Sequence, residues 1–161
     1  MSAPPLTPLA AAVLHVSPAP ERILELACGD GEGALFLSRE FPTARVRGVD
    51  ASAAAVRGAQ RRVGLDPEGR VAFKRAGARE MPYPEHHFDL VVAIDASPSP
   101  ALLRRALRPA GWAILATTGR PGAGLRRAWQ RRRLARSGFE QVAREQAGEG
   151  EYYVGRLTGA G

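Results

Sequence analysis

The stretch Arg22-Ile-Leu-Glu-Leu-Ala-Cys-Gly-Asp-Gly-Glu-Gly33 decides how the rest of the chain is read. Ile23, Leu24, Leu26 and Ala27 form the near-continuous apolar run of a strand covered on both faces. Gly29, Gly31 and Gly33 then make a turn that leads bare backbone N–H groups into a helix N-terminus, a place suited to a nucleotide-like ligand. Glu25 sets a carboxyl group in the middle of the apolar run, and a second acid, Asp50, ends the next apolar segment.

On the N-terminal side, Pro4, Pro5 and Pro8 precede the apolar segment Leu9–Val16, which Pro18 and Pro20 end. Thr7 is expected to cap a helix there, with Pro8 at its first position. That helix either covers the sheet or forms part of a lid.

On the C-terminal side, Ala34, Leu37 and Phe41 recur at helical spacing until Pro42. Arg45–Val49 is a strand running into Asp50. Ser52 is the N-cap of a helix over residues 53–63, with Val56, Ala59 and Val63 as its stripe and Gly64 as its stop. Val71–Lys74 is a third strand, residues 76–87 a loop, and Phe88–Ile94 the plainest buried strand in the chain. Ser99 caps a further helix with Pro100 at N1 and Leu102, Leu103, Ala106 and Leu107 facing inward, which Pro109 and Gly111 stop.

Trp112–Thr117 is a fifth strand. In a basic helix over residues 123–136, Leu125, Ala128, Trp129 and Ala135 can form a buried stripe, but Arg132 falls on the same face and a solvated outer helix is expected. Phe139–Arg144 and Tyr152–Leu157, joined at Gly148-Glu149-Gly150, read as an antiparallel hairpin at the sheet edge. This alternation predicts an α/β fold: a doubly wound, seven-stranded, mostly parallel Rossmann-like sheet closed by that hairpin.

The chain of 161 residues reads as one domain. Residues 1–21 form an N-terminal cap segment, 22–118 the cofactor-binding core, and 119–161 the basic helix and edge hairpin. One cysteine cannot form an internal disulfide, no apolar run reaches membrane-spanning length, and no basic residue precedes Leu9–Val16. A cytoplasmic protein is expected. The net charge of +7 rests on 22 Arg and a single lysine, Lys74. Such a skew matches the codon bias of a GC-rich genome, so net charge by itself designates no partner.

Four ordered pieces carry a family resemblance. They are the glycine stretch Glu25–Gly33; Gly48-Val-Asp50-Ala-Ser52; Glu80–Val91, which leads into the fourth strand; and Leu107-Arg-Pro-Ala-Gly-Trp112. Together they resemble the class I S-adenosylmethionine-dependent methyltransferases over most of residues 20–118.

The resemblance implies S-adenosyl-L-methionine as cofactor, with its methionine part along Ala27, Gly29 and Gly31. It implies Asp50 on the ribose hydroxyls, Ala51 against adenine, and Ala78 and Arg79 on the opposite side. Glu25 would brace the loop or reach the cofactor's ammonium, and Ala93 would stand with the cofactor-binding set. Two positions depart from the family pattern. Gly77 stands where an acid for the adenine amino group is usual, and Ala110 stands for the second glycine of the turn before the fifth strand.

Other chemistries fit less well. A short-chain dehydrogenase needs a Tyr-x-x-x-Lys pair, and Arg70 occupies the position four before Lys74. Cys28 has no evident base partner and reads as a small packing residue. His86 and His87 lack a second cluster at metal-ligand spacing, and no metal site is predicted. The segment Ala93-Ile-Asp95-Ala-Ser-Pro-Ser-Pro100 lacks the N/D-P-P-Y/F motif of amino-methylating enzymes.

Asp95 is the candidate catalytic residue, as a substrate contact or proton acceptor at the mouth of the sheet; a plain loop acid is the alternative. The expected activity is methyl transfer to a small-molecule acceptor. The alternatives are an RNA methyltransferase that uses the Arg-rich helix, and an inactive binding or scaffold protein.

Overall fold

The computed structural model describes residues 6–119 and 124–158, with the side chains of 124–129 excepted. Pro4 and Pro5, and the side chains of Leu125, Ala128 and Trp129, therefore lie outside the described residues. In chain order the elements are α1 (Thr7–Ala12), a 3-10 turn (Val13–His15), β1 (Arg22–Leu26), α2 (Glu32–Glu40), β2 (Arg45–Asp50), α3 (Ala53–Val63) and β3 (Val71–Arg75). Then come β4 (Phe88–Ile94), α4 (Pro100–Ala106), β5 (Leu107–Thr117), α5 (Gly124–Arg136), β6 (Phe139–Ala147) and β7 (Gly150–Leu157).

All seven strands form one sheet in the order β3-β2-β1-β4-β5-β7-β6. The first five are parallel, while β7 runs antiparallel to both β5 and β6. This is the α/β doubly wound sheet with an edge hairpin that the alternating pattern predicts. Its strand order reverses between β1 and β4, where open α/β sheets leave a crevice at their C-terminal ends.

Both faces of the sheet are covered. Leu9, Ala12 and Val13 of the N-terminal segment, Ala34 and Leu37 of α2, and Val56 and Ala59 of α3 pack on one face. Leu102, Leu103 and Ala106 of α4 and Leu134 of α5 pack on the other. The N-terminal helix lies over β5, β6 and β7, and His15 Nε2 is 3.0 Å from the Tyr152 hydroxyl. No helix among the described residues is long and apolar enough to cross a membrane.

Local sequence accounts for most element ends. Ser52 and Ser99 each accept the N–H three residues on, from Ala55 and Leu102, so both are true N-caps. Three expectations are corrected. Leu6, not Thr7, is the N-cap of α1, and it makes no side-chain cap bond. Leu107 belongs to β5 rather than α4, because it pairs with Phe88 of β4 before Pro109 is reached. Ala135 is exposed while its neighbour Leu134 is 1% exposed, so Leu134 rather than Ala135 is the buried side chain in the last turn of α5.

The turn that opens β5 is held by Asp89. One oxygen of this buried carboxylate accepts the N–H groups of Glu21 and Arg22 at 2.6 and 3.0 Å, and the other accepts Arg108 Nε at 2.7 Å. The same side chain thus ties the starts of β1 and β5 to β4. Inside the turn, a Cβ on Gly111 would lie 2.8 Å from the Arg108 carbonyl oxygen, so glycine is required there. Ala110 adopts φ 63°, where an L side chain costs about 1–2 kcal/mol. Replacing Ala110 with glycine removes that strain at an entropic cost of about 0.5–1 kcal/mol. Ala110→Gly is therefore expected to stabilise the protein by about 0.5–1 kcal/mol, read as a higher midpoint in denaturant titration.

Candidate functional site

A cavity of about 430 Å³ opens where β1, β2 and β4 end, within the ~300–1,000 Å³ range of small-molecule sites. Leu26 and Ala27 come from β1 and its turn, Val49, Asp50 and Ala51 from the end of β2, and residues 76–79 from the loop after β3. Residues 96–99 and Leu102 form the wall after β4. The lining is mainly apolar, with Asp50 and Arg79 as its charged members. No described residue of the N-terminal segment lines it, so that segment covers the sheet on the β5–β7–β6 side.

Asp50 is oriented by backbone. One carboxylate oxygen accepts the Gly29 N–H at 2.9 Å and the other accepts the Ser52 N–H at 2.9 Å. Each oxygen keeps a further lone pair for a ligand. The end of β2 and the glycine turn are thereby locked together. Cys28 adds to the lock by donating its N–H to Val49 O at 3.0 Å. Arg75 Nε donates to the Ala51 carbonyl at 3.0 Å and steadies the next residue of the wall.

The turn's glycines do different things. Gly29 (φ 54°) has open space where a Cβ would project, so nothing obstructs an approaching ligand there. A Cβ on Gly31 (φ 84°) would stand 3.0 Å from Ala59 and from Phe73, so this residue lets α2 start close to α3 and β3. Gly33 is the most constrained: its Cβ would fall 2.0 Å from Glu25 Oε2. The Glu25 side chain therefore lies directly against the first turn of α2.

Glu25 is 2% exposed, and its Oε1 has no hydrogen-bond partner among the described residues. Burial pushes its carboxyl group up to about 8; a backbone hydrogen bond from Ala34 pulls the other way, and the charges of Asp30 and Asp50 raise it further. Near neutral pH the group is largely protonated until a cation reaches it. A buried carboxyl oxygen without a partner calls for an explanation, and charge there is costly unless paired.

Of the expected residues, the structure brings Ala27, Asp50, Ala51, Ala78 and Arg79 together around the cavity. Gly29 and Gly31 form the turn beside it, and Glu25 lies in β1 just before that turn. Ala93 is fully buried in β4, paired with Leu26 and Leu115, and does not reach the cavity. Asp95 is exposed and absent from the lining. Its carboxylate accepts the Thr118 N–H at 2.9 Å and the Thr118 hydroxyl, which clasps the end of β4 to the end of β5.

Ala27 and Asp95 share a left-handed φ of 53°, and each turns the chain into a segment of the cavity wall. The sequence reading missed Leu26, Val49, Ala76, Ser97 and Leu102 as wall residues. Their only signal is position: an apolar strand end or the first turn of a capped helix.

Cys28 and the histidine pair before β4 are held by packing and loop contacts. The Cys28 thiol is 6% exposed and pushed up to about 12, first by burial and then by the Glu25 and Asp50 charges, which makes it a packing residue. His86 Nδ1 lies 2.9 Å from the Leu107 carbonyl oxygen, and His87 packs edge-on to Phe88, so both brace the loop before β4. No group of three or more metal-ligating side chains occurs among the described residues.

Comparison with known proteins agrees with this geometry. Residues 23–111, more than half of the chain, match the methyltransferase-domain family. The phthiotriol/phenolphthiotriol dimycocerosates methyltransferase 1 of Mycobacterium ulcerans is 36% identical over 117 residues, covering 66% of this chain and 41% of that protein. The fatty-acid O-methyltransferase of Mycolicibacterium smegmatis is 32% identical over 108 residues, covering 63% of this chain and 38% of that protein. The chain thus spans about two fifths of the length of these curated relatives.

A crystal structure of an S-adenosylmethionine-dependent methyltransferase from Aquifex aeolicus shares the fold, with a TM-score of 0.74 and 14% identity over 94% of this chain and 89% of that one. With the glycine turn, Asp50 and the strand order already in place, the family match leaves one assignment: the chain belongs to the methyltransferase-domain family, within the class I S-adenosylmethionine-dependent methyltransferases.

Proposed function

We propose that this chain transfers a methyl group from S-adenosylmethionine to a small, lipid-like acceptor. One observation supports the cofactor part: Glu25, a buried carboxyl group with an unpartnered oxygen, packs against Gly33 at the end of the glycine turn that Asp50 holds at Gly29. The residues present fit the cofactor. Asp50 would accept the ribose hydroxyls, Glu25 would meet the ammonium, and Gly29 leaves room for close approach. Ala51, Ala78 and Leu102 offer apolar surface to the adenine, with Arg79 at the rim.

When bound, S-adenosylmethionine supplies a methyl group on a sulfonium, activated for in-line displacement. The chain's own contribution is to hold and orient, and to keep water from an apolar cavity. The names of the curated relatives, which act on fatty acids and on dimycocerosate lipids, favour an apolar acceptor. We assign Asp95 a positioning role, because Thr118 already engages its carboxylate. A single buried cysteine is in keeping with a cytoplasmic setting.

Calorimetry with S-adenosylhomocysteine tests the cofactor reading. Asp50→Ala removes two charge-assisted hydrogen bonds and is expected to weaken binding by about 100-fold. No detectable binding by the wild-type protein would sink the proposal. Gly77 lines the cavity, and a side chain there meets only the flexible end of Glu80, at 3.1 Å. Gly77→Asp restores the acid usual in the family and is expected to tighten binding by about 5-fold, one net hydrogen bond.

Glu25 yields a second, independent readout. The carboxyl group sits at about 8, so binding a cation against it at pH 7 should expel close to one proton. Apparent binding enthalpies in buffers of different ionisation enthalpy measure this release, and Glu25→Gln should abolish it. In the free protein the group's pKa is raised above its ordinary 4.5. Its contribution to stability is therefore full below about pH 4.5 and lost as pH rises through about 8. The unfolding midpoint of the wild type should fall relative to that of Glu25→Gln across this window.

A further inference from the structure

The +7 charge is not spread along the chain. Residues 96–139 contain ten arginines and no aspartate or glutamate, while the remaining 117 residues hold 13 basic and 16 acidic side chains. A codon bias that favours Arg over Lys accounts for the first count only. It does not empty 44 consecutive residues of acids.

The fold gathers part of this segment at one place. A depression of about 530 Å³ is lined by His86, Ala101, Arg104, Arg105, Arg136 and Ser137. His86 precedes β4, Arg104 and Arg105 end α4 before β5, and Ser137 precedes β6. All three strands run the same way, so the depression lies at their N-terminal ends, opposite the cofactor cavity. A seven-residue strand such as β4 puts roughly 20 Å between the two.

No carboxylate lines the depression among the described residues. Glu85 borders it and pairs with Arg105 at 2.9 Å, while Arg104 donates to the Ser137 carbonyl at 2.5 Å. Arg132 and Arg136 are exposed one helical turn apart on α5, a like-charge spacing that costs stability unless an anion lies across it.

We propose that this end of the molecule is a docking surface for the phosphate backbone of RNA, separate from the cofactor cavity and not itself the methyl-acceptor site. A single anion needs one guanidinium fork, whereas Arg104 and Arg105 of α4 and Arg136 of α5 line this one depression, with Arg132 exposed one helical turn from Arg136, a set that suits several linked phosphates. A membrane surface fits less well: the large exposed apolar side chains among the described residues are Leu14, Leu65 and Val142, and none lines the depression. The proposal does not depend on methyl transfer.

Fluorescence anisotropy with a labelled, mixed-sequence oligoribonucleotide tests it. With about four phosphates engaged, affinity should fall about 50-fold between about 50 and 200 mM salt. Arg132→Gln with Arg136→Gln should weaken binding about 20-fold at about 0.1 M salt and flatten the salt dependence. Arg39→Gln with Arg57→Gln, an equal charge change on exposed α2 and α3 positions, should leave binding within about 2-fold. The proposal is overturned by salt-insensitive or absent RNA binding, or by an equal loss in the control pair. Displacement of the RNA by millimolar inorganic phosphate at constant ionic strength, or preferential binding to phosphatidylglycerol vesicles, would also overturn it.

Discussion

A carboxyl group buried in the middle of the central strand is the constraint from which much of this structure follows. Glu25 sits in β1, between β2 and β4, with water excluded. A charge there is costly, so the group stays protonated or awaits a cation. Its side chain occupies the space a Cβ would need at Gly33, which forces glycine into the first turn of α2. The start of α2 is placed by that contact, and Oε1 stays buried without a hydrogen-bond partner among the described residues.

The same strand divides the molecule into two chemically different ends. At its C-terminal end Asp50 holds the N–H groups of Gly29 and Ser52, and the cavity walls converge on this lock. At its N-terminal end Asp89 holds the N–H groups of Glu21 and Arg22 together with the Arg108 guanidinium. One end holds a mainly apolar cavity with Asp50 in its wall and the buried Glu25 beside it. The other is cationic and shallow. A parallel sheet makes this separation natural, because every strand contributes to both ends and the distance between them is one strand length.

Much of the architecture was legible from local chemistry. Ser52 and Ser99 cap helices because their hydroxyls reach a free N–H three residues on, and that rule needs no tertiary context. Leu107 was misread because an apolar residue one turn after Leu103 satisfies helical periodicity as well as it satisfies a strand. Its pairing with Phe88 decides the matter, and that partner lies 19 residues earlier. At the end of α5 the buried residue is Leu134 and not Ala135 for a related reason: alanine fits either environment, so Ala135 carries no signal against Leu134.

The order of elements, the glycine turn, the paired acids and the family they indicate were determined by sequence alone, because each rests on short-range rules of turn, cap and alternation. The hydrogen-bond partners of Asp95 and the basic hollow were decided only by tertiary structure. The Asp95 carboxylate accepts the N–H of Thr118, 23 residues away at the end of the neighbouring strand, and no local rule couples the two. Arginines scattered over α4 and α5 look like codon usage until folding places Arg104, Arg105 and Arg136 around one depression. Electrostatics acts through space, and only the fold sets which charges are near.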